Sequence, residues 1–423
     1  AFPRFIAQNR TKLRLMEPIL RREIRTPLDL LKCGPLPDMA RVGAMLHPYW
    51  SVHDLLSRYF TDPHVRLAVC FQSKYLGMSP FDCPSLFTIL PFIEYEYGVW
   101  HVTGGLNALM HAMARACTDL GVDVRTSSPV RRLHVRGGSG GDSGSTQAVR
   151  AVEVATPDGP ATFEHDFVVV NADASWALKN LLPPEARARA GREYSEQHLD
   201  SRRYSCSTYM LYLGVRGGPD ELSDLPHHTI YISGNYSGNI ADISTTGKLS
   251  EDPSIYVCNP SRLDPTLAPE GHSSLYVLVP TANLRESGAA GVDWSRDAGV
   301  MRERALDQME RVMGFRDIRR RIVAEKQYTP DDWRGMNINF GATFNLAHNL
   351  GQMLHKRPQN KLRGFDNVYL AGGGTHPGSG LPTIFLSAQI AAKLLCADAG
   401  LPAPQPRQRT VGATRPVPQP VVV

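Results

Sequence analysis

The sequence predicts a mixed fold: an α/β unit assembled from two separated stretches of chain, joined to an α+β unit with a mainly antiparallel sheet and helices. Three observations carry this expectation. Short continuous apolar runs, Phe167-Val168-Val169-Val170 and Val368-Tyr369-Leu370-Ala371, have the character of strands covered on both faces of an α/β sheet. Longer strands of alternating character lie between them: Ser207–Leu213, Thr229–Ile232, Ile255–Val257 and Leu275–Val279. Residues 1–90 carry apolar side chains at helical spacing, punctuated by Pro27, Pro35, Pro37 and Pro48.

The elements follow in order. Gly104-Gly105 leads into a helix whose apolar face is Leu106, Leu109, Met110, Met113, Cys117 and Leu120, and Gly121 closes it. Val122-Asp123-Val124 and Val130–Val135 read as strands. Gly137–Gly144 is a glycine/serine loop expected to be mobile. Ala148–Val154 runs into a turn at Pro157-Asp158-Gly159, which predicts a hairpin. An amphipathic helix carries Val300, Met301, Leu306, Met309, Val312 and Met313, and a last helix spans Pro382–Ala397 before Gly400 and Pro402 stop it. The expected division is 1–90 helical, 91–180 and 341–398 as the two α/β segments, 181–340 as the antiparallel unit, and 399–423 as a disordered tail rich in proline, glutamine and arginine.

With 423 residues, 42% of them hydrophobic and 21% charged, the chain can bury a large core without disulfide staples. Its seven cysteines include no C-x-x-C pair, which argues for a reducing, cytoplasmic setting and against a zinc site. His227-His228 reads as a structural pair, since no cysteine or carboxylate has matching spacing. The net charge is +5, with a basic cluster at Arg4, Arg10, Lys12, Arg14, Arg21, Arg22 and Arg25. That cluster suits either a solvated helix face or an anionic membrane surface. No basic module interleaved with aromatics is present, so nucleic acid is not an expected partner. No stretch reads as the roughly 18–20 apolar residues a spanning helix needs. Ala1-Phe2-Pro3 reads as a cut through a longer chain.

The sharpest segment is Val368–Pro382: a strand, a turn with five glycines, and a helix start. Glycines let backbone N–H groups approach a ring or an anion, and the helix N-terminus adds about half a positive charge. Gly372-Gly373-Gly374-Thr375-His376-Pro377-Gly378-Ser379-Gly380-Leu381-Pro382 is similar to the C-terminal signature of the bacterial phytoene desaturases, carotenoid desaturases related in fold to the amine oxidases. Other stretches resemble that family in the same order: Asp62–Arg66, Tyr75–Pro80, Gly98–Trp100 with Gly104-Gly105, Val169–Asp173, Leu211–Gly214, Asp264–Gly271, Thr329–Trp333 and Gly341–Phe344. In place of the aromatic-Pro-x-Gly-Gly run of many relatives, this chain has His101-Val102-Thr103-Gly104-Gly105.

The resemblance implies a discontinuous Rossmann-like FAD-binding domain whose first βαβ unit, with its G-x-G-x-x-G turn, is missing ahead of residue 90. It implies dehydrogenation of a linear polyene precursor such as phytoene, with FAD as hydride acceptor, at a membrane surface without spanning it. Carried over by position, Gly104 and Gly105 pass close to the flavin, and Val130 opens the strand that meets the adenine. Asn171, Ala172 and Asp173 border the cofactor groove. Gly373, Gly374, Thr375 and His376 face the flavin, above the helix that Leu381 and Pro382 begin. Asp62, with Arg66, matches a position near the reacting carbons and is the candidate proton acceptor, with His376 as a second. For Asp62 and Arg66 a surface i,i+4 ion pair, for Asp173 a helix N-cap, for Val130 an ordinary strand residue and for His376 a histidine that orients the turn stay open as readings. A carotene cis–trans isomerase, a retinol-saturase-like reductase and an FAD-free fragment that only binds apolar ligand also stay open.

Overall fold

A computed structural model of the chain describes residues 1–47, 49–137, 146–222 and 225–404. Most of the Gly137–Gly144 loop and the tail beyond residue 404 therefore lie outside the described residues.

Helices α1 (Phe2–Leu20), α2 (Leu36–Leu46) and α3 (Pro63–Cys70) belong to the helical first region. Phe5 of α1 packs with Leu56, Phe60, Val69, Cys70 and Phe92, and Leu15, Met16 and Ile19 pack with Ile24, Val42 and Leu86. Lys12 is drawn into this packing and leaves the basic cluster. Its ammonium donates to Thr88 Oγ1 at 2.9 Å and to the Ser85 carbonyl at 3.3 Å, and burial pushes its pKa down to about 8.

Helix α4 (Gly105–Asp119) leads to the antiparallel strands β1 (Val130–Arg136), β2 (Ala148–Thr156) and β3 (Gly159–Glu164). Thr156 pairs with Gly159, so β2 and β3 form the expected hairpin. Val122-Asp123-Val124 forms no strand and pairs with none among the described residues, contrary to the sequence expectation. The short strand β4 (Val168–Val170) and helix α5 (Ala174–Asn180) close this segment.

Five antiparallel strands follow: β5 (Ser207–Arg216), β6 (His228–Tyr231), β7 (Ile255–Cys258), β8 (His272–Thr281) and β9 (Ile322–Tyr328), in the spatial order β6-β7-β8-β5-β9. The period of two sends Tyr209, Leu211, Leu213 and Val215, with Leu275, Val277 and Val279, into one core. Helix α6 (Trp294–Arg311) covers that face with Met301, Ala305, Leu306 and Met309. Val300 and Val312 stay exposed, so the buried stripe of α6 is narrower than the sequence pattern. Strand β9 was not anticipated, because an edge strand with one hydrogen-bonded neighbour needs no apolar alternation.

The chain then returns to the α/β segment. Strand β10 (Val368–Leu370) runs parallel to β4, and helix α7 (Leu381–Asp398) follows the glycine turn. By length and composition α7 could cross a membrane, a correction to the sequence expectation. In the fold, Ser387, Ile390 and Ala391 pin one side of it to the body of the protein. Helix α4 buries no residue; Leu106, Met110 and Met113 are exposed, as are Val169 of β4 and Phe385 of α7. No described residue covers these apolar faces.

Candidate functional site

The glycine turn between β10 and α7 is held from below. Arg357 is fully buried and donates to four main-chain carbonyls: Thr375 (3.0 Å), Gly373 (2.7 Å), Leu346 (3.1 Å) and Ala347 (3.3 Å). It faces no carboxylate, and burial pushes its pKa down. Thr375 Oγ1 donates to the Gly372 carbonyl and shares a hydrogen with Ser387 Oγ. A Cβ on Gly373 would stand 3.0 Å from the Ser379 Cβ, and one on Gly374 would stand 3.0 Å from the Ala174 Cβ. A side chain at either position would have to push its neighbour back by a few tenths of an ångström, so glycine keeps the turn tight.

Asn171, Ala172 and Asp173 leave the end of β4 beside this turn, and a Cβ on Gly372 would lie 3.0 Å from Asn171 Oδ1. Asn171 and Ala172 are exposed. Asp173 caps α5 by accepting from the Trp176 N–H at 2.8 Å, and burial raises its pKa. His376 is buried, and its Nε2 donates to the Arg22 carbonyl at 2.8 Å. Burial lowers its pKa to about 4, so it is neutral at pH 7. His348, also buried, accepts from the Ser379 N–H at 3.0 Å. The His376 Nδ1, His348 Nδ1, Ser379 Oγ and Asp173 Oδ2 atoms are buried and have no protein partner. Leu381 and Pro382 open α7 with exposed side chains, and Val130 opens β1, half exposed.

A second glycine turn precedes α4. Gly104 and Gly105 both have positive φ (81° and 77°), a conformation that L side chains resist. Asp264, from the loop ahead of β8, reaches across to this turn. Its Oδ2 accepts from the Gly104 N–H (2.6 Å) and from His101 Nε2 (3.1 Å), while Oδ1 accepts from Thr266 Oγ1 (2.5 Å). The Thr266 hydroxyl, the Gly104 N–H and the His101 ring, in that order, hold its pKa well below the usual carboxylate range. The Asp264–Gly271 stretch matched the family by pattern, but nothing in the sequence marked Asp264 as a clamp across 160 residues. Asp264→Ala is expected to slow flavin reduction roughly tenfold or more by freeing the turn. Stopped-flow absorbance with an unchanged far-UV spectrum checks this; a wild-type rate overturns it.

The face of the sheet away from α6 is aromatic. Cys258, Tyr276 and Tyr212 lie in one cross-strand row, with His228 opposite Cys258 at the sheet edge. The Tyr212 and Tyr276 rings are 5.6 Å apart, Tyr256 and Tyr276 are 5.9 Å apart, and His227 and His228 are 3.9 Å apart. On β5 to β8 this face carries no carboxylate. The sequence separation that argued against a cysteine near His227-His228 is overruled by the β6–β7 pairing, which brings Cys258 to them.

Asp62 and Arg66 stand apart from these turns. Asp62 is the N-cap of α3, accepting from the His64 and Val65 N–H groups at 2.8 and 3.1 Å. Those bonds lower its pKa, the opposite of what a proton acceptor in a dry channel needs. Arg66 donates to Ser57 Oγ at 3.2 Å, and the pair forms no salt bridge. Because asparagine caps as well as aspartate, Asp62→Asn is expected to change stability by less than about 0.5 kcal/mol and to leave flavin reduction unchanged. A rate loss of roughly 10²-fold in stopped flow would return Asp62 to the catalytic role.

Residues 49–396 match the family described as flavin containing amine oxidoreductase. The chain belongs to that family. Within it, the chain is 40% identical to a 4,4'-diapophytoene desaturase (4,4'-diapolycopene-forming) of Methylomonas sp, over 93% of this chain and 72% of that protein. It is 40% identical to an all-trans-zeta-carotene desaturase of Myxococcus xanthus, over 84% of this chain and 63% of that protein. It is 34% identical to a zeta-carotene-forming phytoene desaturase of the same organism, over 97% of this chain and 74% of that protein. A solved oxidoreductase from Methanosarcina mazei shares the fold with a TM-score of 0.51 at 14% identity, over 86% of this chain and 74% of that one. The amine oxidoreductase fold is thus the α/β and α+β arrangement expected from sequence, and this member is an FAD-dependent oxidoreductase acting on CH–CH groups. The residues present fit FAD. The two glycine turns present bare backbone, and the orphaned polar atoms around Gly372–Gly380 are donors and acceptors that a flavin edge can satisfy.

Proposed function

We propose that this protein is a carotenoid desaturase that dehydrogenates a linear polyene precursor such as phytoene or diapophytoene. The observation that carries the reading is the carboxylate-free aromatic face of Tyr212, Tyr256 and Tyr276, a wall suited to an apolar polyene, in a chain whose relatives are named as desaturases of such polyenes. Bound FAD supplies the hydride acceptor for the reaction. The protein's residues do the rest. Gly373, Gly374 and Thr375 set the backbone against the ring, and Asp264 fixes the Gly104 turn. Neutral His376 stays anchored to Arg22 as an orienting group, because a base with a pKa near 4 accepts a proton poorly.

The test is the mass of the product formed from phytoene or diapophytoene in lipid vesicles with FAD. Loss of hydrogen at each step supports the proposal. Unchanged mass with altered double-bond geometry would make the protein an isomerase, and gained hydrogen a saturating reductase.

The same reading places the protein on a membrane surface, where polyenes dissolve. Leu28 (69% exposed), Leu31 (54%) and Leu36 (70%) are exposed and close in sequence around the start of α2, whereas the aromatic Phe60 and Phe92 are core residues. The neighbouring Arg21, Arg25, Lys32 and Arg41 each pair with a carboxylate, so the leucines carry more of the attraction than the charge does. Replacing Leu28, Leu31 and Leu36 together by serine is expected to weaken vesicle binding roughly tenfold or more in flotation assays. Raising salt is expected to do less; unchanged flotation of the triple variant would remove this surface from the proposal.

A further inference from the structure

We propose that His227, His228 and Cys258 form a binding site for a soft divalent metal of the zinc class at the edge of the five-stranded sheet. One ligand atom from each of the three residues lies within 4.8 Å of the other two. Tetrahedral bonds of about 2.0–2.3 Å put ligand atoms roughly 3.5 Å apart, so a contraction of about 1 Å closes the set.

The backbone explains why the three side chains meet. His228 and Cys258 are direct cross-strand partners of β6 and β7, so they share a face. His227 precedes the strand and escapes its alternation, while its carbonyl accepts from the Asn259 N–H at 2.8 Å, fixing the backbone at that point. The His228 ring is exposed and can turn, and it gives an ion a path from solvent. His228 Nδ1 is 2.7 Å from the Tyr256 hydroxyl, the outer-shell partner that orients a metal-binding imidazole. A further imidazole, His101, stands edge-on to His227 with ring centroids 6.1 Å apart and is itself held by Asp264.

The donor set chooses the ion. Two imidazoles and a thiolate suit zinc, cobalt and copper, whereas magnesium and calcium require oxygen ligands. Three protein ligands leave one position open, as in zinc sites that hold a water or an exogenous ligand. On binding, Cys258 coordinates as the thiolate and its proton passes to solvent. The bound ion ties β6, an edge strand of four residues, to β7.

Cobalt(II) is the probe. Added at one equivalent to the chelator-stripped protein, it is expected to give a near-ultraviolet thiolate-to-cobalt charge-transfer band and intense visible bands of four-coordinate cobalt, both bleached by zinc. Cys258→Ser is expected to abolish the charge-transfer band. His228→Gln, on an exposed ring and therefore safe for folding, is expected to weaken binding roughly tenfold or more, and Tyr256→Phe by roughly tenfold while keeping the band. The exposed Cys117 is the control: Cys117→Ser keeps the band. No band at one equivalent, a band that survives Cys258→Ser, or His228→Gln with wild-type affinity would each overturn the proposal.

Discussion

Arg357→Met is expected to destabilise the protein by about 3–5 kcal/mol, a large share of the roughly 5–15 kcal/mol that holds a typical native fold. The substitution preserves most of the volume and removes a buried charge that no carboxylate balances. What it loses is the only shared donor of the Thr375, Gly373, Leu346 and Ala347 carbonyls among the side-chain bonds described. The Ala347 carbonyl keeps Gln352 Nε2 at 3.3 Å, but an orphaned buried carbonyl costs about 1–3 kcal/mol, and the other three outweigh the relief of desolvation even if water reaches some. Arg357→Lys keeps a positive charge but lacks the forked geometry, so it is expected to recover only part of the loss. Urea titrations of the three proteins check this order. Equal midpoints for wild type and Arg357→Met would show that the carbonyls find other partners.

Acid is expected to weaken the fold well above the pH at which carboxylates titrate. An unfolded chain protonates His376 near pH 6.5, but the folded chain resists until about pH 4. Between those values the unfolded state binds the proton that the folded state refuses. Stability therefore falls as pH falls through this window, by about 1.4 kcal/mol per unit and roughly 3 kcal/mol in all. His348, fully buried and shifted in the same direction, adds to the slope. Asp29 and Asp297, held near 2 by their hydrogen bonds, lose their contribution as pH falls through and below the ordinary carboxylate range, beneath most of this window. Denaturation midpoints from pH 7.5 to 4.5 measure the slope, and His376→Gln is expected to reduce it, leaving the part that His348 contributes. A flat wild-type profile across the window would mean that His376 is solvated.

The family, the paired glycine turns and the antiparallel sheet were legible in the sequence because each is local: a strand, a turn that needs glycine, a period of two. The partners of those turns were not. Arg357 lies in Lys356-Arg357-Pro358, which has no pattern of its own, and its role exists only because residues 346–347 and 373–375 converge on it. Asp264 and Gly104 meet through tertiary contact alone. Asp62 is the reverse case, a role that was local and legible. A carboxylate followed by proline at a helix start is a cap by local physics, a reading that the sequence alternatives for Asp62 did not include. The helix Gly105–Asp119 was read correctly as amphipathic, but periodicity says only that a face is apolar, not that anything covers it.

That uncovered surface bears on how the chain behaves in solution. Strand β4 hydrogen-bonds to β10 on one side and to no described strand on the other, and Val169 projects from it into the open. An unpaired parallel edge with an exposed valine is a template for any extended segment that meets it. The chain's colloidal behaviour is therefore open to strand pairing at this edge: self-association should steepen with concentration, and a polar substitution at the exposed Val169 should reduce it.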